Sequence, residues 1–288
     1  MRAKLTINLD EISDNIDSSF VFLKEMNLHT CELRMINGKN ISLMNKEEII
    51  NLSKRLVSEG ITPVSIASPI FKWNVCNSRE VIRHDNFGVD ALLSLAAKEE
   101  LINNTLEYAD ILSVDKIRIF SYLGNLVNPF SNLLNNRLFQ KIMKSNSTFL
   151  IENEPVCTIY TKEHLESFAN IIADNHMPNI KIWLDIANLI QIGEDIDEPF
   201  IEKIAPYIEY IHIKDFIYNE AAIKYVPVGE GIIDYKKIIS ILNTHIPDQQ
   251  DVTISIETHA STEAEKYTYS KQSIIALRKI IEEVKYGN

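Results

Sequence analysis

Short apolar runs without helical period alternate along this chain with segments whose apolar residues recur every three or four positions. The alternation repeats eight times in 288 residues, roughly 30 residues per unit, the size of a strand–helix repeat. Consecutive strands separated by helices pair in parallel, and a parallel sheet must be covered by those helices. Eight such units without a Gly-rich dinucleotide loop predict an α/β fold, a closed (β/α)8 TIM barrel rather than an open doubly wound sheet. No stretch rich in Pro, Gly or Ser divides the chain, so residues 1–288 are expected to form a single barrel domain.

The predicted strands are Lys4–Leu9, His29–Ile36, Thr62–Ile70, Lys116–Leu123, Thr148–Pro155, Ile180–Asn188, Ile208–Phe216 and Val252–His259. Asp10 is expected to cap the first helix, and Asn45 with Glu48 forms the pattern of a capping box. Gly60 is placed to stop that second helix, Asp234 caps a helix running to Leu242, and Tyr225–Gly231 reads as a tight loop. Phe71 to Asp90 is a long polar connection carrying Lys72, Trp73, Arg83 and His84. Loops of that length are commonly functional, and this one is positioned to act as a lid.

Composition excludes some function classes. The net charge is −11, with acidic residues spread along the whole length. Such a surface disfavours sequence-independent binding to nucleic-acid backbones or anionic membranes. No apolar run approaches the roughly 20 residues that span a bilayer, and the N-terminal run is too short for a signal peptide. Cys31, Cys76 and Cys157 are far apart without a CxxC pair, which predicts reduced thiols and a cytoplasmic protein.

Four of the apolar strands deliver a polar residue of metal-ligating type at the same end: Glu152, Asp185, His212 and Glu257. In a barrel all strand C-termini face one mouth, where this fold gathers its catalytic residues. Alternation along the strands points these four inward, with Thr253, Ser255, Glu257 and His259 sharing one face of the last strand. Three clustered carboxylates would repel one another without a cation. Three oxygen donors with one imidazole suit a single Mn²⁺, Mg²⁺ or Co²⁺ ion, and also admit Zn²⁺.

The segments E-L-R (Glu32–Arg34), S-P-I-F-K (Ser68–Lys72), I-E-N-E (Ile151–Glu154), W-L-D-I-A-N (Trp183–Asn188), H-I-K-D (His212–Asp215), V-P-V-G-E-G-I-I-D (Val226–Asp234) and I-E-T-H (Ile256–His259) follow in order from the second strand to the last. In this ordered set the chain resembles the xylose isomerase-like TIM-barrel superfamily, in its sugar-phosphate isomerase/epimerase branch. The resemblance implies that Glu152, Asp185, His212 and Glu257 bind one divalent metal, and that Glu152 and Glu257 double as acid and base. It also implies a small polyhydroxy carbonyl substrate, turned over through a metal-stabilised cis-enediolate. Returning the proton to the opposite face is epimerisation, moving it to the neighbouring carbon is aldose–ketose isomerisation, and losing a β-hydroxyl instead is dehydration, as in relatives acting on inososes. A barrel that binds sugar without turnover is one rival. Another is a nuclease like endonuclease IV, which requires further mouth histidines where this chain has Ser68 and Ser121. Association of barrel faces into a homodimer is compatible with the resemblance.

Secondary residues carry two readings each. Glu154 reads as a substrate contact or a rim salt bridge, Lys214 as a group polarising a substrate oxygen or neutralising a neighbour, and His259 as a substrate contact or a rim histidine. Lys72 reads as part of the lid. Glu32 touches substrate or pairs with Arg118 inside the barrel, and Asp215, of opposite parity, has a structural role. Gly229 and Gly231 leave room for backbone N–H groups to meet an anion or simply make a turn, and Trp183, inward by parity, packs in the core by default or forms the pocket floor.

Overall fold

A computed structural model describes residues 1–75, 87–90, 92–124, 126, 128–220 and 222–287. Cys76, Arg83 and His84 lie outside the described residues. Eight parallel strands form the barrel: β1 (Arg2–Ile7), β2 (Thr30–Leu33), β3 (Thr62–Ile66), β4 (Lys116–Ile119), β5 (Thr148–Glu152), β6 (Ile180–Asp185), β7 (Ile208–Ile213) and β8 (Asp251–Ile256). From β2 to β8 each strand pairs with the next in sequence, and β8 pairs with β1. The ring is nearly closed, its last seam joined by a parallel bridge between Asn8 and Glu32. The main outer helices are α1 (Ile16–Glu25), α2 (Lys46–Glu59), α3 (Leu95–Leu112), α4 (Arg137–Ile142), α5 (Lys162–Asp174), α6 (Glu198–Ile204), α7 (Tyr235–His245) and α8 (Glu263–Tyr286).

Each of these helices starts on a side chain that accepts a hydrogen bond from its own first turn: Asn15, Asn45, Ser94, Asn136, Thr161, Asp197, Asp234 and Thr262. These caps satisfy N–H groups that a helix cannot pair internally. The Asn45–Glu48 capping box is present, and Gly60 ends α2 at φ +69. Asp10 does not cap α1. Asn15 does, while Asp10 is drawn to Arg34 and the Met35 N–H. The strands expected on both sides of the mouth are shorter in the fold. Residues 35–36 and 39–40 form a small hairpin beyond β2, and Asp215–Asn219 pairs antiparallel with Ala222–Val226 beyond β7, in place of a continuing strand and a loop.

Alternation sorts the strand residues into two cores. Phe149, Ile151, Ile182, Leu184, Ile211, Ile213, Ile254 and Ile256 face outward into the layer shared with the helices. Leu150, Trp183 and Tyr210 face the barrel axis with Ala67. Trp183 stacks on Tyr210 with ring centroids 3.5 Å apart, and both are fully buried. This aromatic pair plugs the barrel and forms the floor beneath the next inward-facing layer. That layer is Glu152, Asp185, His212 and Glu257.

Candidate metal centre

One ligating atom from each of these four residues lies within 4.8 Å of the others, and all four residues are buried. They come from β5, β6, β7 and the residue just past β8, four neighbours around one half of the rim. Strand pairing puts Asp185 in register with His212, while Glu152 pairs with Trp183 and His212 with Ser255, so the outer two ligands are each offset by two residues. The Glu257 N–H extends the ladder to the Ile213 carbonyl at 3.0 Å.

Three of the four, Asp185, His212 and Glu257, have one atom bonded outside the cluster, which leaves another for it. His212 Nε2 faces both Glu32 oxygens at 3.1 Å, so Nδ1 is the nitrogen that faces Glu152 (3.0 Å), Glu257 (3.3 Å) and Asp185 (3.9 Å). A carboxylate behind an imidazole fixes its tautomer and ring plane, as it does behind metal-bound histidines. Asp185 Oδ1 accepts the Asn188 N–H at 2.8 Å and starts a short helix, Ile186–Gln191. Asn153 bonds the Asp185 N–H and C=O, and Asn188 Nδ2 bonds the Asn153 carbonyl, so the ends of β5 and β6 are tied together.

Six buried carboxylates (Asp10, Glu11, Glu32, Glu152, Asp185, Glu257) converge on this end of the barrel with three buried permanent cations, Arg34, Arg118 and Lys214. Burial pushes the Glu152 carboxyl up, but Arg118 and His212 outweigh it and bring the value to about 2. Burial likewise raises Glu257, and Lys214, His212 and His259 overcome it, so this carboxyl is held well below the usual range. Asp185 goes the other way, because burial exceeds the help from Lys214. Burial lowers His212, and Glu32, Glu257 and Glu152 raise it well above an ordinary histidine.

The donor set fits a divalent cation. Glu152 Oε2 and Asp185 Oδ2 are buried without a hydrogen bond. Arg118 Nη1 and Lys214 Nζ lie 3.0 and 2.7 Å away, at ion-pair distance but off the hydrogen-bond direction. Unbonded carboxylate oxygens in a buried cluster with surplus negative charge are what a hard cation with oxygen and imidazole ligands would satisfy.

The other expected residues divide. Lys214 bridges Asp185 and Glu257 Oε2 (3.1 Å) in the cluster itself. His259 Nε2 lies 3.1 Å from the same Glu257 oxygen, and its ring, one-third exposed, stacks on Tyr225. Glu154 and Lys72 meet at 3.6 Å beside the mouth. Glu32 is fully buried beneath His212, held by the Tyr210 hydroxyl at 2.7 Å. It does not pair with Arg118, which reaches Glu152 instead. Asp215 collects the N–H groups of Phe216, Gly229, Gly231 and Ile233. The anion met by the glycine loop is therefore the chain's own carboxylate. Sequence reasoning assigns no role to Arg34, Asn153 or Asn188 and none at the mouth to Asp10 or Glu11. The signals for three of them are local: Arg34 shares its strand face with Glu32, and the two asparagines stand inside I-E-N-E and W-L-D-I-A-N.

The chain belongs to the xylose isomerase-like TIM barrels, whose family model matches residues 135–280. Its structure is similar to that of the probable 3-DHS dehydratase AsbF from Bacillus anthracis (16% identity, TM-score 0.67, covering 96% of this chain and 98% of that one). It is also similar to the IOLI protein solved with a zinc atom (15%, TM-score 0.71, 98% and 99%). An L-ribulose 3-epimerase gives 17% identity and a TM-score of 0.68, covering 99% and 96%. No curated protein matches the chain in sequence. No helix among the described residues is long and apolar enough to cross a membrane.

Proposed function

We propose that the protein is a metal-dependent isomerase or epimerase of a small polyhydroxy carbonyl compound, with Glu152, Asp185, His212 and Glu257 as ligands of one divalent ion. The observation that supports it most is the convergence of these four buried side chains from consecutive strand ends. When bound, such an ion would act as a Lewis acid toward a carbonyl and its neighbouring hydroxyl, acidifying the adjacent C–H. Glu152 and Glu257 are both ionised at neutral pH, as their depressed values require. Either can therefore accept the carbon-bound proton, and the one that has accepted it can return it. Lys214 and His259 are within reach of the same Glu257 oxygen and are placed to bond substrate hydroxyls. Lys72 and Glu154 are assigned to substrate contact at the mouth, and Glu32 to holding His212.

Dehydration is the second reading, supported by the fold shared with a probable dehydratase. It uses the same proton abstraction followed by loss of a β-hydroxyl. The test is a panel of ketoses, inososes, 3-dehydroshikimate and sugar phosphates incubated with the protein and Mn²⁺ in deuterated water. Isomerase or epimerase chemistry incorporates one deuterium at carbon, dehydration removes water, and chelator stops either. Glu257→Gln should abolish turnover while leaving the circular dichroism spectrum unchanged; full activity in that variant would sink the mechanism.

A further inference from the structure

Glu257 is held by a guanidinium that is itself braced by two further carboxylates. Arg34 Nη1 bonds Glu257 Oε1. Its Nε and Nη2 close a fork on Asp10 Oδ2 at 3.0 and 2.8 Å, and Nη2 also bonds Glu11 Oε1. The Phe87 ring covers the guanidinium face at 4.2 Å. Glu11 then uses its other oxygen for the Thr258 hydroxyl (2.9 Å) and the His259 N–H (2.8 Å), the two residues that follow Glu257. The segment after β1 thus holds the backbone beyond Glu257 directly and its side chain through Arg34. With Oε1 taken, Oε2 is the oxygen turned toward His212, Lys214 and His259.

We infer that Arg34, braced by Asp10 and Glu11, is a positioning residue that fixes the Glu257 carboxylate by its Oε1 and so turns Oε2 toward the ligand cluster. The inference rests on the metal-binding reading of the site. A guanidinium fixed by its fork on Asp10 aims the remaining Nη1–H at Glu257 in one direction, which an ammonium on a flexible stem does not. Removing such an outer partner typically weakens metal affinity about 10- to 100-fold. A cavity of about 280 Å³ lined by Asp10, Glu11, Arg34, Phe87 and His259 adjoins the guanidinium, so a small solute can reach the position it would vacate.

The experiment is isothermal titration of Mn²⁺ into the metal-free wild type, Arg34→Lys and Arg34→Ala, with thermal melts of the same samples. Arg34→Lys should stay folded and bind Mn²⁺ about 10-fold more weakly or worse. Millimolar guanidinium should recover affinity in Arg34→Ala, where equal NaCl does not. If Arg34→Ala fails to fold, Arg34→Lys carries the test, because it keeps the charge and loses only the fork. A lowered melting temperature with wild-type Mn²⁺ affinity in Arg34→Lys would reduce Arg34 to a structural role and overturn the inference alone. A wild type that binds no Mn²⁺ would overturn the reading of the site and this inference with it.

Discussion

Glu152 illustrates how much of this site depends on pairing buried charges. Its carboxylate is almost fully buried, and the guanidinium of Arg118 stands 3.0 Å away in the same interior. A buried ion pair adds little relative to an apolar pair, but leaving one partner alone is costly, about 3–5 kcal/mol. Arg118→Met should therefore destabilise the metal-free protein by roughly that amount. Adding Glu152→Gln should return part of the loss, because the stranded charge is gone. Urea denaturation of the two single variants and the double variant closes the cycle. Strictly additive losses would mean that the two groups do not interact.

At the scale of elements, the loop after the Asp215–Val226 hairpin is built around a carboxylate rather than around a ligand. A Cβ on Gly231 would lie 2.0 Å from Asp215 Oδ1 and 2.6 Å from the Phe216 carbonyl oxygen. Neither neighbour can yield, since Asp215 is held by four backbone N–H groups. Gly231→Ala should cost about 3 kcal/mol, the upper part of the usual overpacking range, read from denaturant midpoints. Unchanged stability would show that the loop repacks freely. This element also marks where the pattern of residues along the chain stops being informative. The ends of β5 to β8 are legible because period-two alternation assigns a face to every residue, which groups Glu152, Asp185, His212 and Glu257 at one end of the barrel. Their pairing partners are not legible, because they depend on how the barrel closes. Glu32 sits under His212, 180 positions away, and Arg34 under Glu257, 223 away. Asp10 has the chemistry of a helix cap and the position of one; only the folded ring brings Arg34 to it. The hairpin is hidden in the sequence because Phe216 and Ile217 resume the apolar run of β7 just past Lys214 and Asp215.

For the whole molecule, stability should be linked to both cation and pH. A ligand that binds only the folded chain stabilises it by about 2.7 kcal/mol at a free concentration 100 times its Kd. Melting temperature should accordingly rise with Mn²⁺ and fall back on adding chelator, and a melt indifferent to both would argue against the assigned ligands. Acid acts on the metal-free protein through the same residues. Glu152 has a folded-state value of about 2 against an ordinary 4.5, so the folded chain holds fewer protons than the unfolded chain between those limits. Its contribution is fully present above pH 4.5 and is lost as pH falls from there toward 2. Asp10 and Asp185, raised by burial, have the opposite sign and oppose folding once pH exceeds their ordinary value of 3.8. Comparing wild type with Glu152→Gln cancels the Asp10 term and reduces that of Asp185, since Glu152 is one of the charges that raise it. The variant should lose less stability than the wild type between pH 4.5 and about 3, measured as urea midpoints in chelator. Equal slopes would show that Arg118 does not hold this carboxylate ionised.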